Sequence, residues 1–89
     1  MIEETLTIEN RLGLHARAAA KLVNVASSYS SEITIVRDGR AVNAKSIMGV
    51  MMLAAAKGTT IDVRVDGKDE ADAFEALREL VADKFGEGE

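Results

Sequence analysis

The segment EITIVRDGRAVN at residues 32–43 predicts a β-hairpin near the middle of the chain. Residues 32–36 are rich in β-branched side chains and predict a strand, and residues 40–43 predict a shorter strand after it. The dipeptide Asp38-Gly39 lies between them and strongly favours a tight turn that joins antiparallel strands. The segment therefore predicts two neighbouring antiparallel strands.

Two further stretches alternate polar and apolar residues, which is typical of a strand with one buried face. They are residues 5–8, TLTI, and residues 60–65, TIDVRV. Together with the hairpin, these stretches predict a four-stranded antiparallel sheet.

Three segments predict helices. In residues 16–27 apolar side chains recur at three- and four-residue spacing, which is typical of an amphipathic helix. Residues 46–56 are apolar almost all round, more than one buried stripe requires, and residues 57–58, Lys-Gly, are predicted to end that helix. Asp69 is predicted to cap a last helix, and residues 86–89 are predicted to be a frayed tail.

The order of these elements, β-α-β-β-α-β-α, predicts the fold class. Half-exposed strands need cover on one face only, so we expect an α+β open-faced two-layer sandwich with three helices on one face of the sheet. Residues 1–89 contain no linker, repeat or low-complexity stretch, and their length suits a single domain with one modest aliphatic core.

Composition excludes several classes of protein. The chain has no cysteine and one histidine, too few soft ligands for a zinc or haem centre. The net charge is −4 with no basic run, which disfavours nucleic-acid binding. No window approaches the roughly 20 apolar residues that span a bilayer, and the N-terminus lacks the basic region of a signal peptide. We therefore expect a cytoplasmic protein without membrane insertion, metal or cofactor.

The only histidine, His15, lies where a polar loop meets the first predicted helix. At that position its ring would lie beside the unpaired amides of Ala16, Arg17 and Ala18, which favour negative charge. The guanidinium of Arg17 can add bidentate hydrogen bonds to phosphoryl oxygens. The arrangement suits a phosphorylated histidine, although a histidine at a loop–helix boundary is more often a capping or surface residue.

Three segments carry a resemblance to a known family. Residues 10–17, NRLGLHAR, residues 43–51, NAKSIMGVM, and residues 56–58, AKG, resemble the active-site and regulatory segments of the HPr family. Members are histidine-containing phosphocarriers of the bacterial phosphoenolpyruvate-dependent phosphotransferase system, and the resemblance covers nearly the whole chain. It implies that His15 accepts a phosphoryl group on Nδ1 from enzyme I and passes it to a sugar-specific or regulatory IIA component. The protein would then be a stoichiometric carrier and not an enzyme.

The resemblance also implies an apolar docking patch around the histidine. It implies that Arg17 contacts the phosphoryl group. Positively charged side chains near the patch would steer acidic partner surfaces towards it. The alternative is that these side chains are ordinary solvated charges on helix faces. Val50 and Leu53 are expected to pack inward. The residues predicted to contact partners are Leu14, Ile47, Met48 and Met51, with Lys21 and Lys45 supplying charge.

Ser46 has two interpretations. By position and type it is a helix N-cap, and that alone explains its presence. The resemblance adds that a kinase/phosphorylase of the HPr system could phosphorylate it, which would place negative charge beside the docking patch. One residue departs from the family pattern: Ala18 stands where proline is usual, which bears on the rigidity of the helix entrance.

Two alternatives to a sugar-branch carrier stay open. One is a nitrogen-branch or purely regulatory module of the same fold that binds proteins through Ile47, Met48 and Met51 under control of Ser46. The other is a small-molecule-binding domain, which would need a pocket that a two-layer fold of this size seldom has. A monomer is expected, because transient partners already account for an exposed apolar patch.

Overall fold

Four strands and three helices alternate along the computed structural model, which describes residues 1–88. The strands are β1 (Ile2–Thr7), β2 (Glu32–Arg37), β3 (Arg40–Asn43) and β4 (Thr60–Asp66). The helices are α1 (Ala16–Ser27), α2 (Ile47–Met52) and α3 (Glu70–Ala82), followed by a 3-10 turn, Lys84–Gly86. None of the helices within residues 1–88 has both the length and the apolar character that crossing a membrane requires.

The strands form one antiparallel sheet in the order β1-β4-β2-β3. The hairpin between β2 and β3 turns at Asp38 and Gly39, whose φ values are 49° and 77°. Positive φ at both central residues is the conformation of a type I′ turn, and the predicted tight turn is confirmed. β1 begins three residues before the predicted stretch, because Ile2 already pairs with Val65 of β4. Pairing with a neighbour, and not alternation alone, sets its length.

The helices cover one face of the sheet, as predicted for an α+β open-faced sandwich. β4 buries every second residue, and α1 buries a stripe of small and aliphatic side chains in the same core. Ala18 is fully buried in that stripe, whereas Val23, one residue after the buried Leu22, is only partly buried. The fully or nearly buried members of these two elements are Ala18, Ala19, Leu22, Ala26, Ile61, Val63 and Val65.

α2 is shorter than predicted. It ends at Met52, because Ala54 adopts a left-handed conformation with φ 49° and cannot continue the helix. The carbonyl of Ala55 instead accepts a hydrogen bond from the amide of Leu14, 2.8 Å away. Val50 and Leu53 both pack into the core, as expected.

Asp69 occupies the N-cap position of α3, but its side chain does not cap that helix. Its carboxylate accepts hydrogen bonds from the backbone amides of Ser30, at 2.8 Å, and Ser31, at 3.0 Å. The hydroxyl of Ser31 also donates to it. Hydrogen bonds to the charged form, those from the Ser31 hydroxyl first, lower the pKa of Asp69 to about 2. The residue therefore fastens α3 to the loop before β2.

The prediction of a frayed tail at residues 86–89 is wrong for the part that the structure describes; Glu89 lies outside it. Phe85 is fully buried in the core, and the Lys21 ammonium donates to its carbonyl at 2.6 Å. Lys84, Phe85 and Gly86 have φ values of 54°, 56° and 71°, so the chain turns sharply back towards α1. Burial of one aromatic ring at the C-terminal end fixes the segment that follows it.

Candidate functional site

His15 is the N-cap residue of α1, with extended φ and ψ of −73° and 177°. Its carbonyl accepts the first helical hydrogen bond, from Ala19 at 2.8 Å. The ring does not cap the helix, so the amides of Ala16, Arg17 and Ala18 have no capping side chain. The start of α1 therefore keeps unpaired donors next to the imidazole, where an anion would be favoured.

The imidazole of His15 is partly open to solvent, with 26% of the side chain exposed. Its Nε2 is hydrogen-bonded to Oε2 of Glu87. Within residues 1–88, Nδ1 makes no hydrogen bond to the protein. The two ring nitrogens are thus distinct: one is engaged by a carboxylate, and the other is left for an incoming group.

Glu87 is itself held by the loop that precedes α1. Its second carboxylate oxygen accepts from Nδ2 of Asn10 at 3.0 Å, and the same nitrogen donates to the carbonyl of Gly13 at 2.7 Å. Asn10 is fully buried. The hydrogen bond from Asn10 is the main cause of a lowered pKa of Glu87, with smaller contributions from His15 and the charge of Lys21. The carboxylate beside the imidazole is therefore ionised at neutral pH.

A surface depression of about 360 Å³ lies next to these groups. Three cationic residues and one carboxylate line it, and the exposed side chain of Arg17 is among them. The excess of positive charge and the adjoining helix N-terminus suit a phosphoryl group. The lining residues are Arg11, Leu12, Arg17, Lys21, Gly86 and Glu87.

An exposed apolar patch lies on α2 and the loop before α1. Met48 is 69% exposed, and Ile47 and Met51 are exposed beside it, as the sequence predicted. Two further apolar side chains, Leu12 and Met52, are exposed as well, and the sequence analysis missed them. Leu12 lies within the quoted segment NRLGLHAR and Met52 follows Met51, so chain adjacency was the available signal.

Leu14 does not belong to the exposed patch. Only 5% of it is accessible, and it packs in the core beneath α1. Its backbone amide donates to the carbonyl of Ala55 at 2.8 Å, which holds this part of the loop against the segment after α2. The prediction that Leu14 presents a surface to partners is therefore corrected: it supports the site from below.

The two lysines predicted to surround the patch are tied to the backbone. Lys21 donates to the carbonyl of Phe85 at 2.6 Å, and Lys45 donates to that of Tyr29 at 2.7 Å. Both side chains are partly buried. They contribute fixed positive charge, and the alternative of ordinary solvated helix charges does not describe them.

Ser46 caps α2 as predicted: its hydroxyl accepts from the amide of Gly49 at 3.2 Å. The side chain is partly buried.

Ala18, where the family usually has proline, is fully buried in the first turn of α1, and the helix begins at Ala16 without the constraint of a proline ring.

Asn10, Gly13 and Glu87 are parts of the site for which the sequence analysis proposed no role. Gly13 has φ 67°, and a Cβ atom on it would overlap the Ala55 carbonyl and lie 2.9 Å from Cα of Ala56. Asn10 and Gly13 lie within the quoted segment NRLGLHAR, which was the signal that pointed to them. Glu87 gave no signal, because only the fold brings it to a residue 72 positions earlier.

Comparison with known proteins gives one consistent result. A family model described as the phosphorylation site of the PTS HPr component matches residues 2–83. The phosphocarrier protein HPr of Xylella fastidiosa strain Temecula1 is 58% identical over 87 residues, covering 98% of both chains. That of Cupriavidus necator is 54% identical over 89 residues, covering 100% of both chains. The crystal structure of HPr-C-His from Thermoanaerobacter tengcongensis superposes with a TM-score of 0.95 at 47% identity, covering 98% of both chains.

Proposed function

Since the chain belongs to the HPr family of phosphocarrier proteins, we propose that it accepts a phosphoryl group from phosphorylated enzyme I on Nδ1 of His15. It then passes the group to a IIA component of the phosphotransferase system. The observation that carries the proposal is the state of the imidazole: Nε2 is held by Glu87, and Nδ1 is free of hydrogen bonds to residues 1–88 at the start of a helix.

The proposed transfer is an in-line displacement between two histidines. Nδ1 of His15 attacks phosphorus, the bond from phosphorus to the donor nitrogen breaks, and its electron pair stays with the donor ring. The amides of residues 16–18 and the guanidinium of Arg17 face the charge on the phosphoryl oxygens. Transfer onward reverses these steps, and the electron pair returns to Nδ1.

The exposed patch is proposed to dock both the donor and the acceptors. Methionine side chains are flexible and polarisable, so Met48 and Met51 can conform to surfaces of different shape. A small, largely apolar contact is compatible with rapid release, which a carrier needs for turnover.

Phosphorylation of Ser46 by a kinase/phosphorylase is proposed as a control on docking. The hydroxyl lies at the start of α2, directly before the exposed Ile47 and Met48. A phosphate there adds about two negative charges next to the docking patch and would repel acidic partner surfaces.

Incubation with enzyme I and phosphoenolpyruvate tests the proposed carrier role. We expect a gain of one phosphoryl group by mass spectrometry, assigned to Nδ1 by ³¹P and ¹⁵N NMR, and its loss on addition of a IIA component. His15→Ala should remain unmodified under the same conditions while keeping its fold. Equal labelling of His15→Ala, or failure of the intact protein to become labelled, would overturn the proposal.

A further inference from the structure

We propose that Glu87 is a positioning residue for phosphotransfer, whose carboxylate holds the Nε2 proton of His15 and thereby presents the lone pair of Nδ1 to phosphorus. The inference rests on the proposed carrier function and adds to it a residue near the C-terminal end of the chain.

The first step of the argument is the tautomer. A neutral imidazole carries one N–H and one lone pair, and the hydrogen bond that one nitrogen makes decides which is which. Oε2 of Glu87 is a charged acceptor at Nε2, so the proton is favoured there. Nδ1 is then the nitrogen with the lone pair, which is the form that can attack phosphorus.

The second step is that Glu87 is built into the fold. Its side chain is only 13% exposed, and buried Asn10 donates to its other oxygen at 3.0 Å. The chain reaches this point through the buried ring of Phe85, whose carbonyl is bound by Lys21. The carboxylate is thus fixed from two sides, by the loop before α1 and by the C-terminal turn, and the ring it holds is fixed with it.

The third step is charge. When Nδ1 bonds to phosphorus, the ring still carries its Nε2 proton and becomes cationic. The Glu87 carboxylate faces that charge in a partly buried site, where the lower local dielectric strengthens the attraction between the two groups. When the nitrogen–phosphorus bond breaks, the pair returns to Nδ1 and the shared proton stays between Nε2 and Glu87. No proton has to enter or leave the site in either direction.

Two substitutions separate this role from simple packing of the C-terminal segment. Glu87→Ala removes the acceptor. Glu87→Gln keeps the size, but its amide oxygen is required by the Nδ2 donor of Asn10, which leaves the amide nitrogen to face Nε2. The ring nitrogen must then accept, and the proton moves to Nδ1, where it blocks attack. Glu79→Gln, on the exposed face of α3, is the charge-matched control.

The experiment measures the ¹⁵N shifts of the His15 ring and single-turnover transfer from phosphorylated enzyme I. We expect the Nε2–H form in the intact protein and in Glu79→Gln, and a larger share of the Nδ1–H form in Glu87→Gln. Transfer should slow by about tenfold in Glu87→Ala and at least as much in Glu87→Gln. Wild-type ring shifts and rates in Glu87→Gln, even with a slow Glu87→Ala, would show that only packing matters and would overturn the inference.

The ring shifts are read on the isolated protein and need no partner. If the intact protein fails to accept phosphorus while the tautomers change as expected, the proposed function fails and the positioning of the ring stands. If it accepts phosphorus normally and neither substitution changes rate or tautomer, the positioning role fails and the carrier function stands.

Discussion

Gly13 packs against the carbonyl of Ala55 so closely that a Cβ atom on Gly13 would overlap the oxygen. This contact joins the loop that carries His15 to the loop that follows α2. Both parts of the proposed surface, the phosphoryl site and the apolar patch, are therefore set relative to each other by one close backbone approach. The neighbouring hydrogen bond from Leu14 to Ala55, at 2.8 Å, fixes the same junction.

Gly13→Ala should destabilise the fold by about 2–4 kcal/mol, because it combines positive φ with a steric overlap. Gly39→Ala is the matched control: φ is also positive, at 77°, but nothing lies within 4 Å of the added methyl. We expect it to cost only about 1–2 kcal/mol. Urea unfolding measures both, and equal losses in the two variants would show that the close approach to Ala55 is unimportant.

Ser46→Ala should lower the free energy of unfolding by about 1 kcal/mol, because the amide of Gly49 loses its capping acceptor. Ser46→Asp keeps an acceptor at the N-cap and should be close to the wild type in stability. It should nevertheless slow transfer from enzyme I, since it adds negative charge beside Met48. A Ser46→Asp variant with unchanged transfer would contradict control through this residue.

The stability of the protein should fall as the pH drops from about 4 to about 2. The pKa of Asp69 is lowered from 3.8 to about 2 by hydrogen bonds from Ser31 and Ser30, so the folded state binds the proton later than the unfolded state does. The contribution is complete above the unfolded value and is lost as pH falls through the folded one. Glu70, Glu75 and Glu87, whose pKa values are also lowered, act in the same direction.

Asp69→Asn isolates that contribution, because it removes the titrating group while keeping the side-chain size. The difference in unfolding free energy between the wild type and Asp69→Asn should shrink steadily below pH 4. Asp72→Asn, exposed on α3, is the charge-matched control: it removes one carboxylate and leaves the hydrogen bonds from Ser30 and Ser31 to Asp69 intact, so its stability should still fall between pH 4 and pH 2. A difference that stays constant from pH 6 to pH 2 would contradict the role of the Asp69 hydrogen bonds.

The sequence predicted those elements whose causes are local. Asp38 and Gly39 specify their turn by their own conformational preferences, and the spacing in residues 16–27 matches α1 at both ends. The end of α2 was misplaced because Ala54 turns left-handed, and the chain directly after it is held by a hydrogen bond between Leu14 and Ala55, 41 positions apart by their numbering. The short-range pattern of residues 46–56 contains no trace of that bond.

The residues of the candidate site also fall into those that local sequence indicates and those that only distant contacts bring together. His15, Arg17 and Ser46 were predicted from their places at helix starts together with the resemblance to the HPr family, and the structure places His15 and Ser46 at N-caps. Glu87 was assigned to a frayed tail, since polar and glycine residues near a chain end are usually mobile. Only the burial of Phe85, which the sequence does not distinguish from any other aromatic near a terminus, brings Glu87 to the imidazole.

Leu14 and Met48 were both expected to contact partners, and the structure predicts opposite consequences for their truncation. Met48→Ala removes a side chain that is 69% exposed, so stability should change by less than about 0.5 kcal/mol while the KM for transfer rises and kcat changes little. Leu14→Ala, 5% exposed, should cost about 2–5 kcal/mol through the cavity it leaves. Calorimetry and steady-state transfer measurements on the two variants separate the effects. A large loss of stability in Met48→Ala, or none in Leu14→Ala, would mean that core and patch are assigned to the wrong residues.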